Sequence, residues 1–404
     1  MNYGIERGGS MRKKEAENIK VKKEKKEKVT DLFGYVKSQG CNKISSHHPF
    51  NNVDAVVLCR ISYFPLESYV QARFDKHISV HELGIRMLKI ANGEKLGTYE
   101  KKDMDLLKII MRSPRYMNMS ICGFHSHFSL RKAEQFAACT IIVNPKVAFV
   151  SFRGTDATFN GWKEDFDLGV LGSIPSHNDA MKYVKESMNH FQGKEFIFGG
   201  HSKGGNLASY VALNLPKSLR EERFIKAYII DGPGFRKDVL LKGEFESIQD
   251  KVVSLAPNQS VVGMILYSPF PVQPVDSKGL LVFQHDVYLW KIQGTDFVRG
   301  NFDPISYTIK RWTISIFEDM QVDEIKTTLD VIFDFLQGLY GDTVSDIFAH
   351  PWRSLFFFVS GMKGIDENAK TILKKSGKLF MSYYRSINNS LDGAKKLLKE
   401  ASKG

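Results

Sequence analysis

Cysteine is scarce in this 404-residue sequence: Cys41, Cys59, Cys122 and Cys139 are widely spaced and form no C-x-x-C pair. A disulfide-stapled scaffold is therefore excluded, and no zinc or redox motif is present. The cysteines mostly lie in apolar runs such as "AVVLCRI" and "FAACTIIV", which reads as reduced core thiols. Long apolar runs are missing too. The longest, "SLFFFVSGM" at 354–362, is too short to span a bilayer, and the N-terminus has no apolar stretch of the signal-peptide kind. A cytoplasmic protein is expected, with any membrane contact peripheral. The glycines include no G-x-G-x-x-G, which argues against a dinucleotide fingerprint. His125 with His127, and His47 with His48, lack a carboxylate or cysteine at usable spacing, so neither metal nor cofactor is expected.

What is present is uneven. The net charge of +12 gathers at the two ends: residues 1–30 hold ten Lys/Arg against five Asp/Glu, and residues 363–404 hold ten against four. A nucleic-acid reader usually carries its basic patch on the folded domain, so no nucleic acid is expected. Basic ends fit contact with an anionic membrane surface, or solubility. Residues 1–29 are charged, low in complexity and short of large apolar side chains, which predicts a disordered tail.

From residue 30 the spacing of apolar residues predicts a helical lead-in, including "HELGIRMLKIA" and "KDMDLLKIIMRS". Strands follow: "QFAACTIIV" (135–143) and "VAFVSFRG" (147–154) read as a hairpin turning at Asn144-Pro145-Lys146. A helix is predicted at about 178–191, then strand "EFIFGG", helix "GGNLASYVALNL", and strands "RFIKAYIIDG", "DKVVSLAP" and "GLLVFQHDVYLWKI". Strands alternating with helices predict an α/β fold with a mainly parallel, helix-covered sheet. Beyond about 316 the pattern is helical again, with Ile325, Leu329, Ile332, Leu336 and Leu339 on one stripe. It ends in a basic amphipathic helix, carrying Ile365, Ile372, Phe380, Tyr384, Ile387 and Leu391 on its apolar face and interruptible at Gly377 or Gly393. The expected domains are thus a tail at 1–29, an α/β core at 30–315 and a helical extension at 316–404.

Gly200-His201-Ser202-Lys203-Gly204 is a G-x-S-x-G pentapeptide. The five residues alone carry little weight, but their flanks are those of a nucleophile elbow. "EFIF" supplies a strand, Gly199, Gly200, Gly204 and Gly205 keep the turn slim, and "NLASYVAL" supplies the helix. Ser202 is therefore the candidate nucleophile, and His201 beside it reads as packing. Acyl transfer also needs two N–H donors for the oxyanion. Lys203, the residue after the serine and first of a helix, offers one; Thr155, in "SFRGTD" after a strand, offers the other.

"VAFVSFRGTD", Trp162-Lys163-Glu164-Asp165 and "FIFGGHSKGGNLA" resemble the fungal-type class 3 lipases. The span from about 30 to 300, with "VDAVVLCRISYFPLE", "IIDGPGF", "QSVVGMIL" and "FQHDVYLWKI", is closer to a bacterial family of lipase-like α/β-hydrolases with no established substrate. The resemblance implies an α/β-hydrolase fold with Ser202 as nucleophile and Thr155 and Lys203 at the oxyanion hole. Where class 3 lipases carry their acid, this sequence reads Pro257-Asn258-Gln259-Ser260, with no carboxylate. Asp231, closing the preceding strand in "YIIDGPGF", becomes the candidate acid, with Asp276 in reserve. The order Ser, Asp, His asks for a base downstream of both, and His285 is preferred over His350. Asp286 is discounted because neighbouring strand residues face opposite ways. The expectation is a serine esterase, lipase- or (lyso)phospholipase-like, acting on an ester or lipid. A catalytically weak scaffold binding a lipid, membrane surface or protein partner is the rival, motivated by the missing carboxylate at 258–260.

Overall fold

Short polar side chains fix where the first helices begin. Asp31 accepts the Gly34 amide at the start of α1 (Leu32–Gln39). Asn51 accepts the Val53 and Asp54 amides at the start of α2 (Asn52–Ile61), and Asp54 accepts the Asn51 amide in return, a reciprocal capping box. Every residue from Val53 to Ile61 is buried, so α2 is a core helix and not a surface one.

The computed structural model describes residues 28–90, 98–129, 134–155, 173–240, 245–319, 323–325 and 367–401. After α2 come β1 (Ile78–Ser79), α3 (Val80–Ile90), α4 (Thr98–Ile110), β2 (Ser120–Ser129), β3 (Glu134–Ile142), β4 (Val147–Phe152) and α5 (Pro175–His190). Then follow β5 (Glu195–His201), α6 (Lys203–Asn214), α7 (Lys217–Arg223), β6 (Phe224–Ile230), α8 (Lys237–Leu240), β7 (Val252–Pro257) and β8 (Val272–Val275). The described chain closes with β9 (Ile292–Gln293), β10 (Asp296–Phe297), α9 (Pro304–Asp319) and α10 (Glu367–Ala401).

Strands β1 to β8 lie in one sheet in sequence order; β1 to β4 pair antiparallel and β4 to β8 parallel. Both faces are covered, and the pleat sorts side chains between them. Phe149 of β4, Ile197 of β5 and Tyr228 and Ile230 of β6 join α1, α2 and α4 in one core. Ala148, Val150 and Phe152, Phe196 and Phe198, and Ala227 and Ile229 join α5 and α6 in the other. This is the α/β-hydrolase fold expected from the sequence. Parallel register places Phe152 beside Gly200, His201 beside Ile230, Ile230 beside Leu255 and Pro257 beside Val275. The carboxyl ends of five strands, β4 to β8, therefore meet at one edge, where open α/β sheets carry their ligands.

A buried ion pair anchors the helical lead-in. Both oxygens of Asp54 accept from Arg115, at 2.7 and 2.5 Å, and Tyr35 and Tyr116 hydroxyls also donate to that carboxylate. Arg115 further donates to the carbonyls of Asn42, His48 and Pro49, so its donors are spent on closing the loop before α2. On the opposite face His177 of α5 stacks on Tyr210 at 3.9 Å and meets Asn206 Oδ1 through Nε2 at 2.8 Å. Asn206 donates to the Pro233 and Gly234 carbonyls, tying α5 and α6 to the turn after β6.

Several expectations need revision. Residues 279–292 form no strand: 281–285 and 287–289 are 3-10 turns, and only Ile292 begins β9. The run is apolar, but Leu281 takes φ 50°, which breaks an extended chain, and Trp290 makes only an isolated bridge, to Ser277. β1, β2 and β8 were not expected; their mixed composition hides them. The C-terminal helix runs unbroken through Gly377 and Gly393, because one glycine costs only about 1 kcal/mol against the packing of a long helix. It docks on α9 through Trp312 against Phe380, with Ile387 buried, and leaves Lys374, Lys375, Lys378 and Arg385 exposed. The basic tail up to residue 27, Trp162–Asp165, His350 and the stripe from Leu329 to Leu339 lie outside the described residues. Among those described, no helix is long and apolar enough to cross a membrane.

Two outcomes follow. Arg115→Ala leaves a buried carboxylate without its cation and is expected to cost about 3–5 kcal/mol in urea unfolding. Burial lowers His177 to about 4, so it is neutral in the fold and charges first in the unfolded chain. Stability from this group is complete above about pH 6.5 and is lost as pH falls through 4, by up to about 3 kcal/mol. His177→Gln should flatten that part of the measured pH dependence.

Candidate active site

The turn between β5 and α6 is built from main chain. A Cβ on Gly200 would stand 2.2 Å from the Gly204 carbonyl, and one on Gly204 would stand 2.2 Å from Phe152 O. No side chain fits at either position, which is the physical content of the two glycines in G-x-S-x-G. Ser202 between them adopts φ 60°, ψ −134°, a conformation that costs about 1–3 kcal/mol and is held by the surrounding contacts. Its amide donates to Ile230 O at 2.9 Å, the carbonyl just before Asp231. Its own carbonyl accepts from Gly205 and Asn206, so the Lys203 N–H belongs to the first turn of α6, whose donors the helix itself does not satisfy. The Lys203 side chain is fully buried and points away, its Nζ donating to Gln135 O at 2.7 Å.

Gly154 lies against the elbow, its α-carbon so near that a Cβ would meet His201 O at 2.4 Å and Ser202 Cβ at 2.9 Å. Thr155, half-buried, is the next residue. The two expected oxyanion donors thus flank the serine from β4 and from α6.

Asp231 follows β6 directly, is buried and takes φ 46°. Its Oδ2 receives His285 Nδ1 at 2.6 Å. Its Oδ1 accepts from Ser260 Oγ at 2.6 Å and from the Gly263 amide at 3.0 Å. An ionised carboxylate only accepts, so Nδ1 carries the hydrogen, which in a neutral imidazole leaves the lone pair on His285 Nε2. No hydrogen bond joins that nitrogen to Ser202 Oγ in this structure. The contact of His285 with Asp231 is thus made in this structure, and one with Ser202 is not.

The reserve candidate is elsewhere: Asp276 pairs with Lys291 at 2.8 Å. Asp286 pairs with Lys102 and caps the turn at Tyr288, so it does not serve His285, although the strand alternation invoked against it does not exist there. Sequence reasoning missed four supporting groups. Ser260 and Gly263 sit in the loop searched for a carboxylate; that loop supplies donors to a carboxylate on the neighbouring strand. Tyr63 reaches Gly154 N at 3.0 Å from a helix end 91 residues earlier, which no local pattern signals. His201, read as packing, is buried and also bonds the His285 carbonyl at 2.8 Å. The cysteines are all free thiols, and burial pushes Cys59, Cys122 and Cys139 upward, which makes them poor nucleophiles.

The Mbeg1-like family model matches residues 110–334, a span from the end of α4 that includes the elbow, Asp231 and His285. Among solved structures, the chain is similar to a mutant form of MDLA from Penicillium cyclopium, at 15% identity over 64% of this chain and 91% of that one, with a TM-score of 0.37. It is also similar to a fungal lipase, at 13% identity over 64% and 93% of the two chains, with a TM-score of 0.34. No curated protein matches the sequence.

A Cβ at Gly263 would lie 2.4 Å from Asp231 Oδ1. Gly263→Ala is therefore expected to displace the carboxylate and lengthen its contact with His285 beyond hydrogen-bond range, read from a crystal structure of the variant. Ser260→Ala, which removes a donor to a buried carboxylate, is expected to cost about 1.5–3 kcal/mol in denaturant unfolding.

Proposed function

Since the chain belongs to the Mbeg1-like family and keeps a strained serine at a strand-to-helix turn beside a bonded Asp–His pair, we propose that it is a serine hydrolase of carboxylic esters. The observation that carries the reading is the 2.6 Å contact of His285 Nδ1 with Asp231, made from a loop 54 residues downstream and beside the elbow. In the proposed reaction His285 Nε2 removes the Ser202 proton as Oγ attacks the ester carbonyl. The Lys203 and Thr155 amides receive the oxyanion, and the imidazolium, oriented by Asp231, returns the proton to the departing alcohol. Water, deprotonated by the same imidazole, then attacks the acyl-serine, and the imidazolium returns that proton to Ser202 Oγ as the carboxylic acid departs with the water's other hydrogen. No cofactor or metal enters these steps.

For the substrate we favour a lipid or lysophospholipid ester. Leu280, Leu281 and Phe283, just before the base, are 68, 48 and 37% exposed, an apolar lip suited to an acyl chain. The exposed cations of α10 suit an anionic lipid surface, in a protein that meets membrane only peripherally from the cytoplasm. The Asp231–His285 contact favours the hydrolase over the scaffold reading, whose motive is the missing carboxylate at 258–260.

A fluorophosphonate probe should label the wild-type protein and fail to label Ser202→Ala; labelling of both, or of neither, sinks the proposal. Asp231→Asn should lower kcat on a p-nitrophenyl ester by about 10,000-fold, because the imidazole loses its oriented tautomer. Within a panel of such esters, octanoate should be cleaved faster than acetate.

A further inference from the structure

Groups outside Ser202, Asp231 and His285 converge on the turn that carries the serine. Tyr63, two residues past the end of α2, accepts the Gly154 amide at 3.0 Å. Its hydroxyl lies 3.2 Å from the His201 carbonyl and 3.3 Å from His201 Nδ1. On the far side of the same imidazole, Nε2 is 2.8 Å from the His285 carbonyl, and the two rings are 4.3 Å apart. A carbonyl only accepts, so Nε2 carries the hydrogen. Burial, with His285 and Arg60 nearby, keeps His201 neutral, which leaves Nδ1 as an acceptor facing the tyrosine. Tyr63 is held as a donor in turn: burial pushes its phenol up to about 12. Arg60, paired with Asp103 at 2.6 Å, stacks on its ring at 3.8 Å.

We infer that Tyr63 and His201 are positioning residues, a single hydrogen-bonded strut that runs from Gly154 through His201 to the main chain of His285 and sets the gap between oxyanion loop and base. The strut has a task because His285 sits on a 3-10 turn between β8 and β9, with no sheet to fix its main chain, and its side chain is 23% exposed. Trp290 Nε1, fully buried, donates to the preceding carbonyl, Gln284 O, at 2.7 Å. The bond from His201 is the one that ties this turn to the residue next to the nucleophile. The serine–imidazole contact has to close to about 3 Å for proton transfer, and an error of about 1 Å costs on the order of a hundredfold. Neither Tyr63 nor His201 touches the reacting atoms; both act through the place they give to His285 and to the Gly154–Thr155 main chain.

The inference rests on the ester-hydrolase reading, and its test keeps the two apart. The full-length protein is compared with Tyr63→Phe, His201→Phe, His201→Gln and the double variant Tyr63→Phe/His201→Phe on a soluble p-nitrophenyl ester. Both single phenylalanine variants should lose about tenfold to a hundredfold in kcat with KM changed less than about twofold. His201→Gln, which keeps an N–H able to reach the His285 carbonyl, should recover most of the rate. The double variant should be no slower than His201→Phe, because the two side chains act as one unit. Full rates in both single variants, a glutamine variant as slow as the phenylalanine one, or additive losses overturn the strut. A second measurement needs no turnover: the downfield proton NMR signal of His285 Nδ1–H, identified by its loss in Asp231→Asn. If wild type neither cleaves the ester nor takes the fluorophosphonate, the hydrolase reading falls. The strut then stands if that signal is sharp in wild type and His201→Gln but broadened or lost in His201→Phe at unchanged melting temperature, and falls if His201→Phe leaves it intact.

Discussion

Two main chains pass closer at the elbow than any side chain allows, and the site is arranged around that contact. Gly200 against Gly204, and Gly204 against the end of β4, leave the backbone of β5, α6 and β4 in direct contact. The location of Ser202 is then set by covalent geometry and strand register, without help from flexible side chains. Its unfavourable φ is opposed by the bond from its own amide to Ile230 and by the burial of both flanking elements. Once β4 and β6 are fixed to the elbow in this way, Thr155 and Asp231 are delivered to it as the residues that leave those two strands.

Asp231 shows how a missing residue can be informative. The loop at 258–263 offers Asp231 a hydroxyl and an amide, both donors aimed at one oxygen, while the other oxygen is turned to His285. A second carboxylate in that loop would face the first across a buried gap, and mutual repulsion would disfavour the charged form of both. Acid at the end of β6 and donors after β7 are therefore one arrangement, in which the second loop serves the charge and does not duplicate it.

Legibility in the sequence followed range. The elbow was readable because strand, glycines, serine and helix are contiguous, and the parallel sheet because its apolar runs alternate with helical spacing. Asp231 and His285 were readable as candidates from chain order and strand ends, although the strand assigned to His285 dissolves into 3-10 turns around Leu281. β1, β2 and β8 escaped because short or mixed strands owe their state to a partner strand and not to their own pattern. Ser260, Gly263 and Tyr63 escaped for a related reason: each acts on a residue 29 or more positions away, and nothing in its neighbours announces the contact.

Tyr63 and its support, Arg60 and Asp103, precede the stretch of chain that defines the family, which starts at residue 110. Helix α2 is usually the kind of element treated as packing for the sheet it covers. Tyr63, two residues past its end, reaches Gly154 and His201, so a fragment trimmed to the matched boundaries would retain Ser202, Asp231 and His285 while losing those contacts. The contacts around Ser202 thus begin well upstream of the matched segment, and on the proposed reading variation among relatives in how His285 is held would be sought there.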